Sequence, residues 1–214
     1  MFRRLTKTMF GLAMLAMAGH AAPAKAAPIT YDEAVDSDLD PSLPPFVLGL
    51  GDNVFTGTTS FFSDPSQNIL DRDRFLFTIE PNRRLSSVVL TVTSVFNNSD
   101  STIRVGMAAS TDIRTGITDD RIARAPSTRV FDSTGPDVSL PLSLAIPEAD
   151  LGLGAGLYRA QVGFGSGNSG SGVSDFGFNY TLTLGVTPVP LPSGLWLLLS
   201  GLGALAAMRA RQPA

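Results

Sequence analysis

Phe176-Gly177-Phe178-Asn179-Tyr180-Thr181-Leu182-Thr183-Leu184 alternates large apolar side chains with small or polar ones. Successive side chains of a strand point to opposite faces, so this stretch predicts a half-buried β-strand with Phe176, Phe178, Tyr180, Leu182 and Leu184 on its core face. Helical geometry would scatter the same residues around a cylinder.

Similar short runs recur along the chain. Residues 75–79 form one, broken by Glu80-Pro81-Asn82, and residues 88–95 form another, ahead of the turn residues Asn97-Asn98-Ser99-Asp100. Residues 103–107, 129–131, 138–144 and 156–162 read the same way. Residues 46–50 and 53–57 flank Gly51-Asp52, a turn signal that suggests a hairpin. With no long amphipathic helix between them, the strands predict an all-β fold over residues 46–187, a jelly-roll-like β-sandwich of about eight or nine strands. The chain has no cysteine, so packing alone must hold this sandwich.

The two ends of the chain read differently. Residues 1–26 have the layout of a secretory signal helix: Arg3, Arg4 and Lys7 lead an apolar run too short to span a bilayer, and Ala24-Lys25-Ala26 forms an A-x-A cleavage site. At the other end, residues 188–214 carry a proline motif, Val189-Pro190-Leu191-Pro192, and then an uncharged apolar segment that includes Leu195, Trp196, Leu197, Leu198, Leu199, Leu202 and Leu205. About 18 helical residues reach about 27 Å, close to the thickness of the hydrocarbon core, so a C-terminal transmembrane helix is expected there. Arg209 and Arg211 follow it and would keep that end cytoplasmic, leaving the body outside.

Export removes chemistry from the body. His20, Lys7 and Lys25 are the only histidine and lysines, and all three precede the expected cut. The mature chain then lacks His, Lys and Cys, which excludes Ser-His-Asp and Cys-His catalysis, Schiff-base and P-loop chemistry and histidine-ligated zinc. Its body sets ten arginines against 19 acids, a net of −9. That balance argues against binding to nucleic acid or to an anionic membrane surface.

Two acidic clusters are candidates for a cation such as calcium. Residues 27–45 form a polar acidic leader in which Asp36, Asp38 and Asp40 alternate, so three carboxylates on one side of an extended segment suit a hard cation. The rest of an EF-hand loop is missing, because Pro41 stands where glycine is needed and Val47 where glutamate is needed. A solvated acidic leader is the competing reading. Asp71 and Asp73 alternate with Arg72 and Arg74 at the mouth of a strand, which fits either a metal site or paired surface charges.

Other motifs point to little chemistry. Gly165-Ser166-Gly167-Asn168-Ser169-Gly170 matches G-x-G-x-x-G, but it leads into a further strand rather than a helix and reads as a flexible loop. The pairs Asp119-Asp120 and Glu148-Asp150 leave a carboxylate-only glycoside hydrolase as an alternative, although acids in turn-rich segments are usually solvated.

The tail, with its proline motif, apolar helix and basic end in that order, resembles the sorting signal of PEP-CTERM proteins, which are exosortase substrates of Gram-negative bacteria. Leu191 stands where the named Pro-Glu-Pro motif has glutamate, and Val189-Pro190-Leu191-Pro192 resembles a variant form of the signal. The resemblance implies export through the Sec translocon, trimming by signal peptidase, transient anchoring in membrane lipid and handover to a membrane exosortase. It also implies a final place at the cell surface or outside it, in company with extracellular polysaccharide. It covers about the last tenth of the chain. The body is similar, through residues 71–81, 156–160 and 180–184, to bacterial pre-peptidase C-terminal domains. These are small β-sandwiches of secreted proteins, some of which bind calcium or matrix polymers. The two resemblances together imply a non-catalytic surface protein, or alternatively a calcium- or glycan-binding module.

Overall fold

The computed structural model describes residues 26–63, 66, 68–97, 107–125, 128–132, 135–136, 140–147, 150–164, 174–190 and 202. Among them lie thirteen strands, arranged as two sheets, and the four-residue helix α1 (Glu33–Asp36). The first sheet contains β1 (Thr30–Asp32), β3 (Gly51–Ser63), β4 (Asn68–Leu70), β6 (Arg83–Asn97), β11 (Leu142–Ile146) and β13 (Ser174–Pro188). Its order is β1-β3-β13-β6-β11, with β4 also paired to β3. The second contains β2 (Phe46–Val47), β5 (Asp73–Ile79), β7 (Met107–Thr115), β8 (Arg121–Arg124), β9 (Thr128–Asp132), β10 (Gly135–Pro136) and β12 (Gly156–Phe164). Its order is β10-β9-β7-β12-β5-β2, with β8 paired to β7.

The stretch that predicts the fold lies at the centre of the first sheet. β13 pairs antiparallel with β3 from Ser174↔Ser63 to Val186↔Gly51, and with β6 on its other side. Phe176, Phe178, Tyr180, Leu182 and Leu184 are all buried, as their alternation requires. Facing them across the sandwich, β5 buries Phe75, Phe77 and Ile79. Phe55 of β3 stacks on Phe75 with ring centroids 4.4 Å apart, and Phe46 meets Phe75 edge-on at 5.6 Å. Burying each such side chain stabilises the fold by roughly 1.5–3 kcal/mol, the term that substitutes for disulfides.

Eight strands have five residues or more, and the remaining five are short additions to the edges and ends. The two sheets are mostly antiparallel, while β1 on β3 and β2 on β5 are parallel.

The hairpin expected across Gly51-Asp52 does not form. β2 pairs with β5 in the second sheet, whereas Gly51 and Asp52 open β3 in the first, so the chain crosses between layers there. Gly51 has φ +100°, a conformation that glycine adopts at no steric cost. The buried Asn53 fixes the crossing: its Oδ1 accepts from Gly49 N (2.9 Å) and Ile29 N (3.1 Å), and its Nδ2 donates to the Gly49 and Leu184 carbonyls (3.0 Å each). A second departure concerns β7, which begins at Met107 and runs to Thr115, beyond the stretch 103–107 that the sequence marks as a strand; residues 103–106 lie outside the described residues.

Part of the segment read as a leader is woven into the sandwich. Thr30, Tyr31 and Asp32 pair with Val54, Phe55 and Thr56, and Leu39 is only 1% exposed. Among the described residues no helix is long and apolar enough to cross a membrane. Ala24, Leu191, Pro192, Leu195, Trp196, Leu197, Leu198, Leu199, Leu205, Arg209 and Arg211 lie outside those residues, as does the glycine-rich loop 165–170. Ala26 is half-buried, and Val189, Pro190 and Leu202 are exposed.

Candidate metal centre

The two acidic clusters of the sequence contribute to a common site. After β1, Asp32 caps α1 by accepting from Ala34 N at 3.1 Å, and the helix stops at Asp36. Ser37 then turns the chain with φ 113°, held by a hydrogen bond from the Tyr31 hydroxyl to its carbonyl at 3.1 Å. That turn breaks the alternation on which a shared aspartate face depends. Asp36 folds back to accept from Asp32 N (3.0 Å), and Asp40 accepts from Ser42 N (2.6 Å). Of the three leader aspartates, only Asp38 is brought to the site.

Leu39 anchors the strap by inserting into the core, and its carbonyl accepts from Arg74 N at 3.0 Å. That bond stitches residues 33–39 to β5 beside Asp73. Asp73 occupies an inward register position, in series with Phe75, Phe77 and Ile79, and is fully buried. Glu33 reaches the same place from α1. Its Oε1 accepts from Leu39 N (3.0 Å) and its Oε2 from Thr58 N (2.8 Å).

One oxygen each from Glu33, Asp38 and Asp73 therefore lies within 4.8 Å of the others. Calcium binds oxygens at 2.3–2.6 Å, so two ligands on opposite sides of the ion are separated by about 5 Å, and this triangle matches that span. The donor set is all carboxylate, which suits a hard cation and offers nothing to a thiophilic or imidazole-seeking metal.

Asp73 supplies a second and independent sign. Neither of its carboxylate oxygens has a hydrogen-bond partner among the described residues, nor does the buried Tyr180 hydroxyl that faces it from β13. The hydroxyl is close enough to lower the Asp73 pKa but does not meet hydrogen-bond geometry. An ionised carboxylate in such surroundings is expensive unless a proton or a cation neutralises it. Burial first, and then the Glu33 charge, push Asp73 up to about 8. Burial also raises Glu33, with Asp38 and Asp71 adding to the effect against its two backbone hydrogen bonds. Asp71 is raised as well, by burial and by Asp38, so it borders the site. A divalent ion would relieve all these repulsions together.

Sequence reading missed Glu33 and Tyr180. Glu33 sits in the same acidic run as Asp38, five residues earlier, but a search for alternate aspartates passes over it. Tyr180 was visible as a core residue, and that its hydroxyl faces Asp73 becomes apparent only once β5 and β13 face each other. The Asp119-Asp120 pair serves other purposes. Asp119 binds Arg159 at 2.8 Å and Arg114 at 3.6 Å, and Asp120 accepts from the Thr118 hydroxyl at 2.5 Å. No protein-family description, curated protein or solved structure matched this chain.

Proposed function

We propose that this chain is an exported, non-catalytic surface protein whose jelly-roll sandwich is completed by a calcium-class cation held between Glu33, Asp38 and Asp73. The observation that carries the cation is the fully buried Asp73 carboxylate, unpartnered among the described residues and within reach of two further carboxylates. The ion ties the strap, through Glu33 and Asp38, to β5, through Asp73. It thus acts as a clasp in a fold without disulfides.

The order of the eight longer strands supports the jelly roll. Counted along the chain as β3, β5, β6, β7, β9, β11, β12 and β13, they lie first-eighth-third-sixth in one sheet and second-seventh-fourth-fifth in the other. That is the arrangement of two interlocked Greek keys. The surface destination rests on the N-terminal signal helix, the Val189-Pro190-Leu191-Pro192 motif and the C-terminal transmembrane helix that follows it. Through these the chain passes the Sec translocon and signal peptidase and is recognised by an exosortase.

Two measurements test the proposal. In thermal melts, excess calcium raises Tm relative to chelator, and superimposable curves overturn the cation. The intact mass of protein recovered from the envelope corresponds to loss of both ends. A mass that retains residues 188–214 makes the chain a single-span membrane protein instead.

A further inference from the structure

We infer that the outer face of the second sheet is a docking surface for an anionic polysaccharide whose sugars carry carboxylates. Eight arginines of the body have described side chains, and six of them, Arg72, Arg74, Arg114, Arg121, Arg124 and Arg159, belong to this face. The register places them in rows across the strands. Arg74 of β5 lies beside Gln161 of β12, which pairs with Asp112 of β7, which pairs with Arg124 of β8. One step along, Leu76, Arg159, Arg114 and Arg121 form the next row. The aliphatic stem of Arg72 lies over Gly163, the neighbouring position on β12. Six of the eight described arginines of an acidic body therefore share one face.

Local acids neutralise only part of this charge. Asp112 accepts from Arg114 through both carboxylate oxygens at 3.1 Å and from Arg121 at 3.2 Å. Asp119 pairs with Arg159 and Arg114. Among the described residues Arg72, Arg74 and Arg124 have no ion pair, and the buried Nε atoms of Arg72, Arg74, Arg124 and Arg159 have no acceptor. Burial and then repulsion from Arg74 lower the Arg72 pKa against the nearby Asp112 carboxylate, with Arg114 adding to the lowering, so the guanidinium groups are crowded against one another.

Planar guanidinium forks match carboxylates in bidentate geometry, and strands about 4.8 Å apart with residues about 7 Å apart along each strand present them as a regular grid. The described residues of this face include no aromatic ring on which bases would stack. Repeated carboxylates on a sugar chain need no such ring and match the guanidinium forks of this face. This inference is independent of the cation site.

The test uses the full-length chain in detergent, with chelator present so that calcium cannot bridge protein and polymer. Polygalacturonate is the probe, and neutral dextran and single-stranded DNA are the comparisons. Expected are retention on polygalacturonate that weakens as salt rises, no retention on dextran, and binding weakened about tenfold in R74A/R124A at unchanged Tm. The R74K/R124K variant keeps the charge without the fork and recovers part of the loss. Equal binding by wild type and R74A/R124A, equal retention on dextran, or tighter binding to DNA than to polygalacturonate would each overturn the inference.

Discussion

Asp73, on β5 of one sheet, meets the Tyr180 hydroxyl, on β13 of the other, inside the sandwich, and neither group has a hydrogen-bond partner among the described residues. Burial first, and then the Asp73 charge, raise the Tyr180 pKa well above its usual value, so the phenol stays neutral and adds no further negative charge. The Asp73→Asn variant removes the buried charge while keeping the shape of the side chain. In chelator near pH 8 it is expected to be more stable than wild type by about 1–3 kcal/mol, and to lose the calcium-induced rise in Tm. Urea denaturation with and without calcium measures both, and a variant that still responds to calcium removes Asp73 from the site.

In protein kept free of divalent cations, stability should fall as pH rises. Asp73 goes from about 3.8 when unfolded to about 8 when folded, and Glu33 and Asp71 move in the same direction. Between those two values the folded state holds more protons than the unfolded state, so the contribution is complete below the lower value and is lost as pH climbs through the upper one. Each unit of the Asp73 shift corresponds to about 1.4 kcal/mol. Denaturation midpoints in chelator at about pH 5, 6.5 and 8 should therefore decrease in that order. A profile that rises over this range contradicts the buried, protonated Asp73.

Asn53 predicts a cost that strand propensity would not suggest. It is fully buried and satisfies backbone groups of Gly49, Ile29 and Leu184 at the point where the chain changes sheets. Asn53→Ala leaves those groups without partners and should cost about 2–4 kcal/mol. Phe55→Ala, which opens a cavity against Phe75, should cost about 3–5 kcal/mol, whereas Val35→Ala, at a side chain 81% exposed, should stay within about 0.5 kcal/mol. Equilibrium unfolding of the three variants gives the ranking, and an Asn53→Ala cost as small as that of Val35→Ala refutes its bridging role.

Much of the sandwich was legible because strand burial leaves a period of two. Phe176 to Leu184 and Phe75 to Ile79 carry it in full, and both strands lie where that pattern puts them. β7 was hidden because Ala109 and Thr111 are too small to mark an inner face, leaving Ile113 as the bulky buried residue among its described side chains. The hairpin reading failed because Gly51-Asp52 satisfies turn chemistry locally while Asn53 commits the chain to a crossing through contacts distant in sequence. The site was legible only as separate parts. Asp38 and Asp73 were both marked as candidates, but nothing local indicates that they meet across a strap anchored by Leu39. The net charge likewise concealed the arginine face, since a total says nothing of how charge is distributed over two sides of a sheet.

Gly57 offers a way to perturb the clasp from the sheet beneath it. It pairs with Tyr180 in the β3–β13 ladder, and a methyl group added there would run into the Glu33 carboxylate and the Tyr180 hydroxyl. The absence of a side chain is what lets Glu33 descend from α1 to the Asp73 level while accepting from Thr58 N. Gly57→Ala keeps the backbone of β3 within the range of ordinary strands, so the sheet should survive. Glu33 must swing away, which breaks its hydrogen bonds to Leu39 N and Thr58 N and loosens the strap. The expected result is a melting temperature in chelator lowered by a few degrees, corresponding to about 1 kcal/mol, together with a calcium affinity weakened at least tenfold, because one of three carboxylates has left. Calorimetric titration of calcium into the variant measures the affinity directly. Unchanged affinity would mean that the ion, if bound, does not depend on Glu33, and the clasp would have to be redrawn without the strap helix.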